Sequence, residues 1–264
     1  MKHAAAVAAA VALVLSMALE GDAHKGVTSK FTYNADVYPV FLNRCGRCHI
    51  DGGVGGMSLL KYEEAFPWAE SLRAELMTAH PNTLPEGGSE KADPHDFVKA
   101  AHRQISARDL NVVLDWATGG TPEGDKSNTP APATLTVDWA SGRPDLIAPL
   151  PARFQMDPAA LEVTQEFVLP LSLQAPVTVS RVDLLPGNPA IVRSAVLSLR
   201  WPDGTARVIG TWVPRQVPSS ISIKPSVRIE PGSQIVARVH YRKTWKYEGQ
   251  PMSDLSSVGL YFAD

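Results

Sequence analysis

The sequence predicts two domains of different class, an α-helical one followed by an antiparallel β-sandwich. Up to about residue 120 the apolar positions recur at helical spacing, and beyond it they alternate with a period of two. Between the two regimes, residues 119–134 are dominated by Gly, Pro, Thr, Ser and Asn, the composition of a linker, which is placed at 121–135.

The helical part builds in chain order. Val37, Val40 and Phe41 repeat at helical spacing within residues 34–44. Pro67 opens a stretch in which Trp68, Leu72, Leu76 and Ala79 make one apolar stripe. Proline suits a first helical turn because an N–H there has no intrahelical partner to lose. Ser106, with Asp109 three residues on, resembles a capping box in which Asp replaces Glu or Gln. It opens a last helix through Leu110, Val113, Leu114 and Ala117, and Gly119-Gly120 closes that helix as a C-cap.

In the second half, residues 177–184, 195–201, 206–213, 221–229, 234–241 and 258–262 read as strands. Pro202-Asp203-Gly204 and Pro231-Gly232 supply turns between them. Many short strands with Pro/Gly turns imply an antiparallel β-sandwich.

At the start of the chain, Lys2 and His3 precede an uncharged Ala/Val/Leu-rich run over residues 4–19. Gly21-Asp22-Ala23 then offers small residues at the −3 and −1 positions of a cleavage site. Residues 1–23 therefore read as a secretory signal peptide, with His24 as the mature N-terminus and an uncleaved anchor as the alternative. The resulting domains are 24–120 and 136–264, joined by the linker 121–135. With 25 basic and 27 acidic residues the chain has no charge bias toward nucleic acid or a strongly charged partner.

The chemistry concentrates in Cys45-Gly46-Arg47-Cys48-His49, which holds the only two cysteines. A C-x-x-C pair followed at once by histidine reads as a covalent haem attachment site: two thiols to form thioethers and an imidazole to ligate iron. A thioredoxin-like dithiol would follow a strand in a βαβ unit, whereas this pair follows a helical stretch. A zinc site would need a second C-x-x-C or an H-x3-5-H, and neither is present. A structural disulfide here would close too small a loop to constrain much. Gly52-Gly53-Val54-Gly55-Gly56 lacks the Lys-Ser/Thr of a phosphate loop and reads as backbone able to pass close to a porphyrin edge. Helix, attachment motif, Gly-rich loop, helix, loop, helix is the order of a small monohaem cytochrome c domain. Covalent haem attachment in bacteria is a periplasmic chemistry, which agrees with the leader.

The residues "RCGRCHIDGGVGGMSLL" at 44–60, Tyr62-Glu63-Glu64-Ala65, Pro67-Trp68-Ala69 and "NVVLDWATGGTPEGD" at 111–125 resemble the cytochrome c domains of exported bacterial proteins. In that family the haem domain is often fused to a copper type II, ascorbate-dependent monooxygenase-like module. Leu185-Pro186-Gly187-Asn188 and the strand ending "VHY" at residue 241 resemble the first, jelly-roll-like β-sandwich of peptidylglycine-hydroxylating monooxygenases. The copper-binding His-His pair of that family corresponds to about Arg193 and Ser194 here, and only His240 remains. A copper site needs two or three donors held together. Even with Met252 as a soft donor nearby, the resemblance therefore implies a sandwich without copper, in which His240 is a partly buried strand histidine.

The related cytochromes place the distal ligand in a Met-Pro-Pro-Trp segment, and this chain reads Met77-Thr78-Ala79-His80-Pro81-Asn82-Thr83-Leu84-Pro85 there. His80 is the first distal candidate and Met77 the alternative, with Met57 or an open site after them. Axial choice spans about 0.8 V in haem proteins, so this assignment decides the potential. His95 and His102 read as surface residues, Trp68 and Trp116 as core, and Arg44 and Arg47 as residues flanking the thioethers.

The expected function is periplasmic electron transfer by one covalent haem c, with redox proteins or a larger respiratory complex as partners and no enzymatic activity. The sandwich is expected to serve docking or assembly, and membrane association to arise only through partners or an uncleaved leader. A copper monooxygenase with a haem donor, a five-coordinate gas sensor and a structural haem subunit are the alternatives.

Overall fold

The computed structural model of the chain describes residues 28–78, 105–215 and 217–263, and the expected leader 1–23 and the expected distal candidate His80 lie outside them. A π-helical turn, Tyr33–Val37, runs into α1, Tyr38–Arg44. Next, α2 (Tyr62–Ala65) passes through a 3-10 turn at Phe66–Trp68 into α3 (Ala69–Thr78), and α4 spans Ala107–Thr118. Pro39 and Pro67 both stand in first turns, where no helical hydrogen bond is lost.

The ends of α4 follow from its sequence. Ser106 Oγ accepts the Asp109 N–H at 3.0 Å, an N-cap. The box is not reciprocal, because the Asp109 carboxylate takes Arg44 of α1 at 3.1 Å. At the other end Gly120 adopts φ +83°, and the Thr121 N–H reaches the Trp116 carbonyl at 3.1 Å, a Schellman closure.

Tyr33, Val37, Phe41, Leu59, Val113 and Trp116 form a buried cluster between these elements. Phe41 meets Trp116 edge-on, with ring centroids 6.0 Å apart and planes at 85°, so α1 is fixed against α4 by aromatic packing. The stretch 121–135 has no strand and one 3-10 turn, Lys126–Asn128, yet it is held along the helical unit. Tyr33 and Asn34 N–H groups donate to the Pro122 and Glu123 carbonyls at 2.8 and 2.9 Å, and the Trp116 indole donates to Pro122 O at 3.2 Å. The linker composition thus describes a strap whose carbonyls are taken up by the helical core.

The second half contains β1 (Leu146–Pro149), β2 (Phe154–Met156), β3 (Glu162–Pro170), β4 (Val177–Leu185) and β5 (Val192–Arg200). After these come β6 (Ala206–Trp212), β7 (Ile221–Ile229), β8 (Gln234–Arg242), β9 (Met252–Asp254) and β10 (Ser257–Phe262). Two four-stranded sheets, ordered β1-β10-β4-β7 and β3-β8-β5-β6, and a small β2-β9 pair are all antiparallel. Val179, Val182 and Leu260 of the first sheet share one buried cluster with Leu197, Ile235 and Val239 of the second, which makes the pair a β-sandwich. All six strands expected from the sequence are present. β1, β2, β3 and β9 are additional: β2 and β9 have three residues each, and β3 buries only Leu169 fully, so no clear period of two marks them.

A fully buried carboxylate, Asp254, ties β9 to its neighbours. It accepts Tyr241 Oη at 2.9 Å, Ser256 Oγ at 2.8 Å and the Asn188 N–H at 2.8 Å. Among the described residues no helix is long and apolar enough to cross a membrane. Because Leu197 has no exposed surface, Leu197→Ala is expected to cost about 2–5 kcal/mol of unfolding free energy. Urea denaturation of the full chain measures this.

Candidate functional site

The C-x-x-C-H segment at 45–49 continues α1 by one turn. The Cys45 N–H donates to Phe41 O at 2.9 Å, and the Cys48 and His49 N–H groups fold back onto Cys45 O at 3.1 and 2.9 Å. Residues three apart in such a turn share a side, so the turn offers two thiols together with an adjacent imidazole. Both cysteines are free and half-buried. Gly46 is required where it stands, since a Cβ there would lie 2.9 Å from Leu42 O.

The Gly-rich loop folds back onto this turn. Gly55 N–H donates to Cys48 O at 2.7 Å and Leu59 N–H to His49 O at 2.9 Å. A Cβ on Gly53 would come within 2.5 Å of Cys48 O, and one on Gly55 within 2.5 Å of His49 Nδ1. What these glycines admit is the motif's own backbone and the His49 ring, so they set the position of the imidazole directly.

Burial pushes the Cys45 thiol up to about 12, with the neighbouring Cys48 adding to the effect. The Cys48 thiol is also raised by burial, against the opposing pull of Arg47 and Arg193. A reactive dithiol has the opposite character, a depressed pKa in an electropositive and accessible setting. Free thiols held neutral three residues apart, with an imidazole beside them, have the donor chemistry of covalent haem attachment. Cys45, Cys48 and His49 are the residues that would hold the group.

The sandwich reaches the back of the loop. Arg193 on β5 donates through Nη1 to Val54 O and through Nε to Arg242 O at 3.2 Å. Trp245, in a 3-10 turn Trp245–Tyr247 after β8, stacks on Trp68 with centroids 6.5 Å apart and planes at 30°. Its Nε1 lies 3.1 Å from a Cβ built on Gly56. Lys246 reaches Asp51 at 3.2 Å and Lys61 reaches the same carboxylate at 2.6 Å; chiefly the Lys61 hydrogen bond holds Asp51 below the usual carboxylate range. Beside Cys48 an open cleft is walled by Arg47 and Val54 on one side and by Leu184, Pro186 and Trp212 on the other.

Other predicted residues are dispersed. Met77 is 63% exposed on α3, where its sulfur accepts Arg73 Nη1 at 3.4 Å. Met57 packs against the helical cluster. His80, His95, His102 and His24 lie outside the described residues. Trp116 is core, as expected, whereas Trp68 belongs to the seam with the sandwich. Arg44 pairs with Asp109. His240 Nε2 lies 2.7 Å from Glu162 Oε1 across the β3–β8 pair, opposite Ser194 on β5, and Met252 packs against the sandwich core. Among the described residues no three His, Cys, Asp or Glu side chains gather to hold a metal ion.

Sequence reasoning did not find Arg193, Trp245, Lys246 or Asp51 as neighbours of the motif. Asp51 closely follows the motif, but its partner Lys246, like Arg193 and Trp245, lies more than a hundred positions from the residue it meets, so nothing in the local sequence marks these contacts. No protein-family model matches this chain, and no curated protein matches it.

While both cysteines are free, the raised thiols have a direct consequence. Iodoacetamide at pH 7.5 should alkylate Cys45 and Cys48 more than about tenfold slower in the folded chain than in urea, because the thiolate is the reacting form. Mass spectrometry of timed samples reads the rates.

Proposed function

We propose that this chain is an exported, periplasmic monohaem c-type electron carrier. Its helical unit is a cytochrome c domain, and its sandwich is a jelly-roll-like, monooxygenase-like module without copper. The observation that carries this reading is the turn in which the two free thiols and His49 stand together, backed by glycines that leave no room for other side chains.

Haem, when bound, supplies a one-electron ferric–ferrous couple. Cys45 and Cys48 would hold it through thioethers, and His49 would be the proximal ligand. The remaining work belongs to the polypeptide. Gly55 fixes the plane of the His49 ring from behind, and Leu59 N–H holds the His49 carbonyl. The Cys48 side of the turn opens on the cleft toward the sandwich. A redox protein or a larger respiratory complex is the partner this reading implies, and the chain performs no catalysis of its own.

The test is production of the full chain in a bacterium with an active haem c maturation system. One haem per chain should survive acid–acetone extraction, and Cys45→Ser/Cys48→Ser together should abolish it. A wild-type chain that retains no haem after extraction overturns the reading. In the loaded protein the near-infrared spectrum separates sulfur from nitrogen on the distal side. His80→Ala is expected to change that spectrum, and an unchanged spectrum removes His80 as the ligand.

A further inference from the structure

Arg193 occupies a special place in its sheet. Along β5 and β8, Val192 pairs with Tyr241 and Ser194 with His240, so Arg193 is the extra residue of a β-bulge. Bulges re-aim a side chain out of the regular alternation. Here the bulge delivers a half-buried guanidinium to two backbone carbonyls, Val54 O in the Gly-rich loop and Arg242 O at the end of β8. A guanidinium suits this because its planar fork can serve two acceptors at once, and because it keeps its charge where an ammonium would readily lose it.

The contact sits two links from the imidazole. Val54 is followed by Gly55, whose N–H is bound by Cys48 O at 2.7 Å and whose Cα lies against the His49 ring. The same loop is held at its start by Lys246 on Asp51 and at its end by Trp245 on Gly56. Three residues of the sandwich half, one in the bulge of the β5–β8 ladder and two after β8, therefore meet Asp51, Val54 and Gly56 within the six-residue stretch that backs the turn at 45–49.

From this we infer that Arg193 is a positioning residue for the haem site: the β5 bulge latches the sandwich onto the loop behind His49 and places a fixed positive charge beside Cys48. The sandwich is then a wall of the redox centre. This rests on the proposed haem attachment for its electrostatic half, whereas the latch itself exists without haem.

The experiment compares Arg193→Gln and Arg193→Lys with the wild-type full chain. By hydrogen exchange, Arg193→Gln should raise exchange at Gly55 and Leu59 about tenfold or more, with Val239 in the sandwich core unchanged as a control for folding. In the haem-loaded protein, Arg193→Gln should shift the midpoint potential downward, since loss of a nearby cation favours the ferric form. Arg193→Lys, which keeps the charge, should return the potential toward wild type. Wild-type exchange in the loop, or an unmoved potential, in Arg193→Gln overturns the inference. If the wild-type chain binds no haem, the functional reading fails by itself, and exchange in the haem-free chain still decides the latch.

Discussion

The structure around the motif depends on one steric constraint, the close approach of Gly53 and Gly55 to the turn that carries Cys48 and His49. A β-carbon at either position would fall 2.5 Å from an atom of that turn, well inside van der Waals contact. Because the loop can lie so close, Leu59 N–H reaches His49 O, and the chain is set on course for α2 and the aromatic core. Close packing on one side also leaves the other side of the loop exposed as bare backbone and Gly56. That is the surface the sandwich uses.

The two halves of the chain have separate apolar cores, one centred on Phe41 and Trp116 and one filling the sandwich. The seam between them is largely polar and specific. Exposed ion pairs such as Lys246–Asp51 contribute about 0–1 kcal/mol each, so they orient more than they bind. Arg193 is different in kind. Burial pulls its pKa down to about 10, with Arg242 acting in the same direction, while Cys48 and Glu162 act against it. A buried cation is tolerated only where acceptors replace its lost water, and the Val54 and Arg242 carbonyls are in place to do so. The stacked Trp68 and Trp245 add the apolar component of the same seam.

Much of this was legible in the sequence, and what was not has a common physical cause. Local rules located the turns: Ser106 caps α4, Gly120 adopts the left-handed C′ conformation, and Gly232 turns the chain between β7 and β8 with φ +84°. Period-two alternation located six strands, β4 to β8 and β10, whose inner faces are buried. Alternation fails for β3, an edge strand with one fully buried residue, and for the three-residue pair β2 and β9. At the site, Cys45, Cys48 and His49 are contiguous, so spacing alone brings them together. Arg193 is 139 positions from Val54, and its orientation comes from a bulge, a feature of register that composition does not encode. In the sequence it stood out only as a position where the monooxygenase resemblance would place a histidine.

The thiols give the last physical argument. In a dithiol oxidoreductase the protein lowers a cysteine pKa so that a thiolate is ready to attack. Here burial dominates and raises both cysteines, most clearly Cys45. A zinc site would have the same need for thiolate and would also need further donors, which do not gather among the described residues. A thioether has no proton to lose, so burial that suppresses the thiolate would carry no electrostatic penalty once the sulfur has a second carbon in place of its hydrogen. The same environment that makes this C-x-x-C poor as a redox dithiol is therefore well suited to anchoring an apolar macrocycle. Under the proposed haem attachment, Arg47 and Arg193, which oppose the rise of the Cys48 thiol, would act on the charge at the iron and no longer on the sulfur.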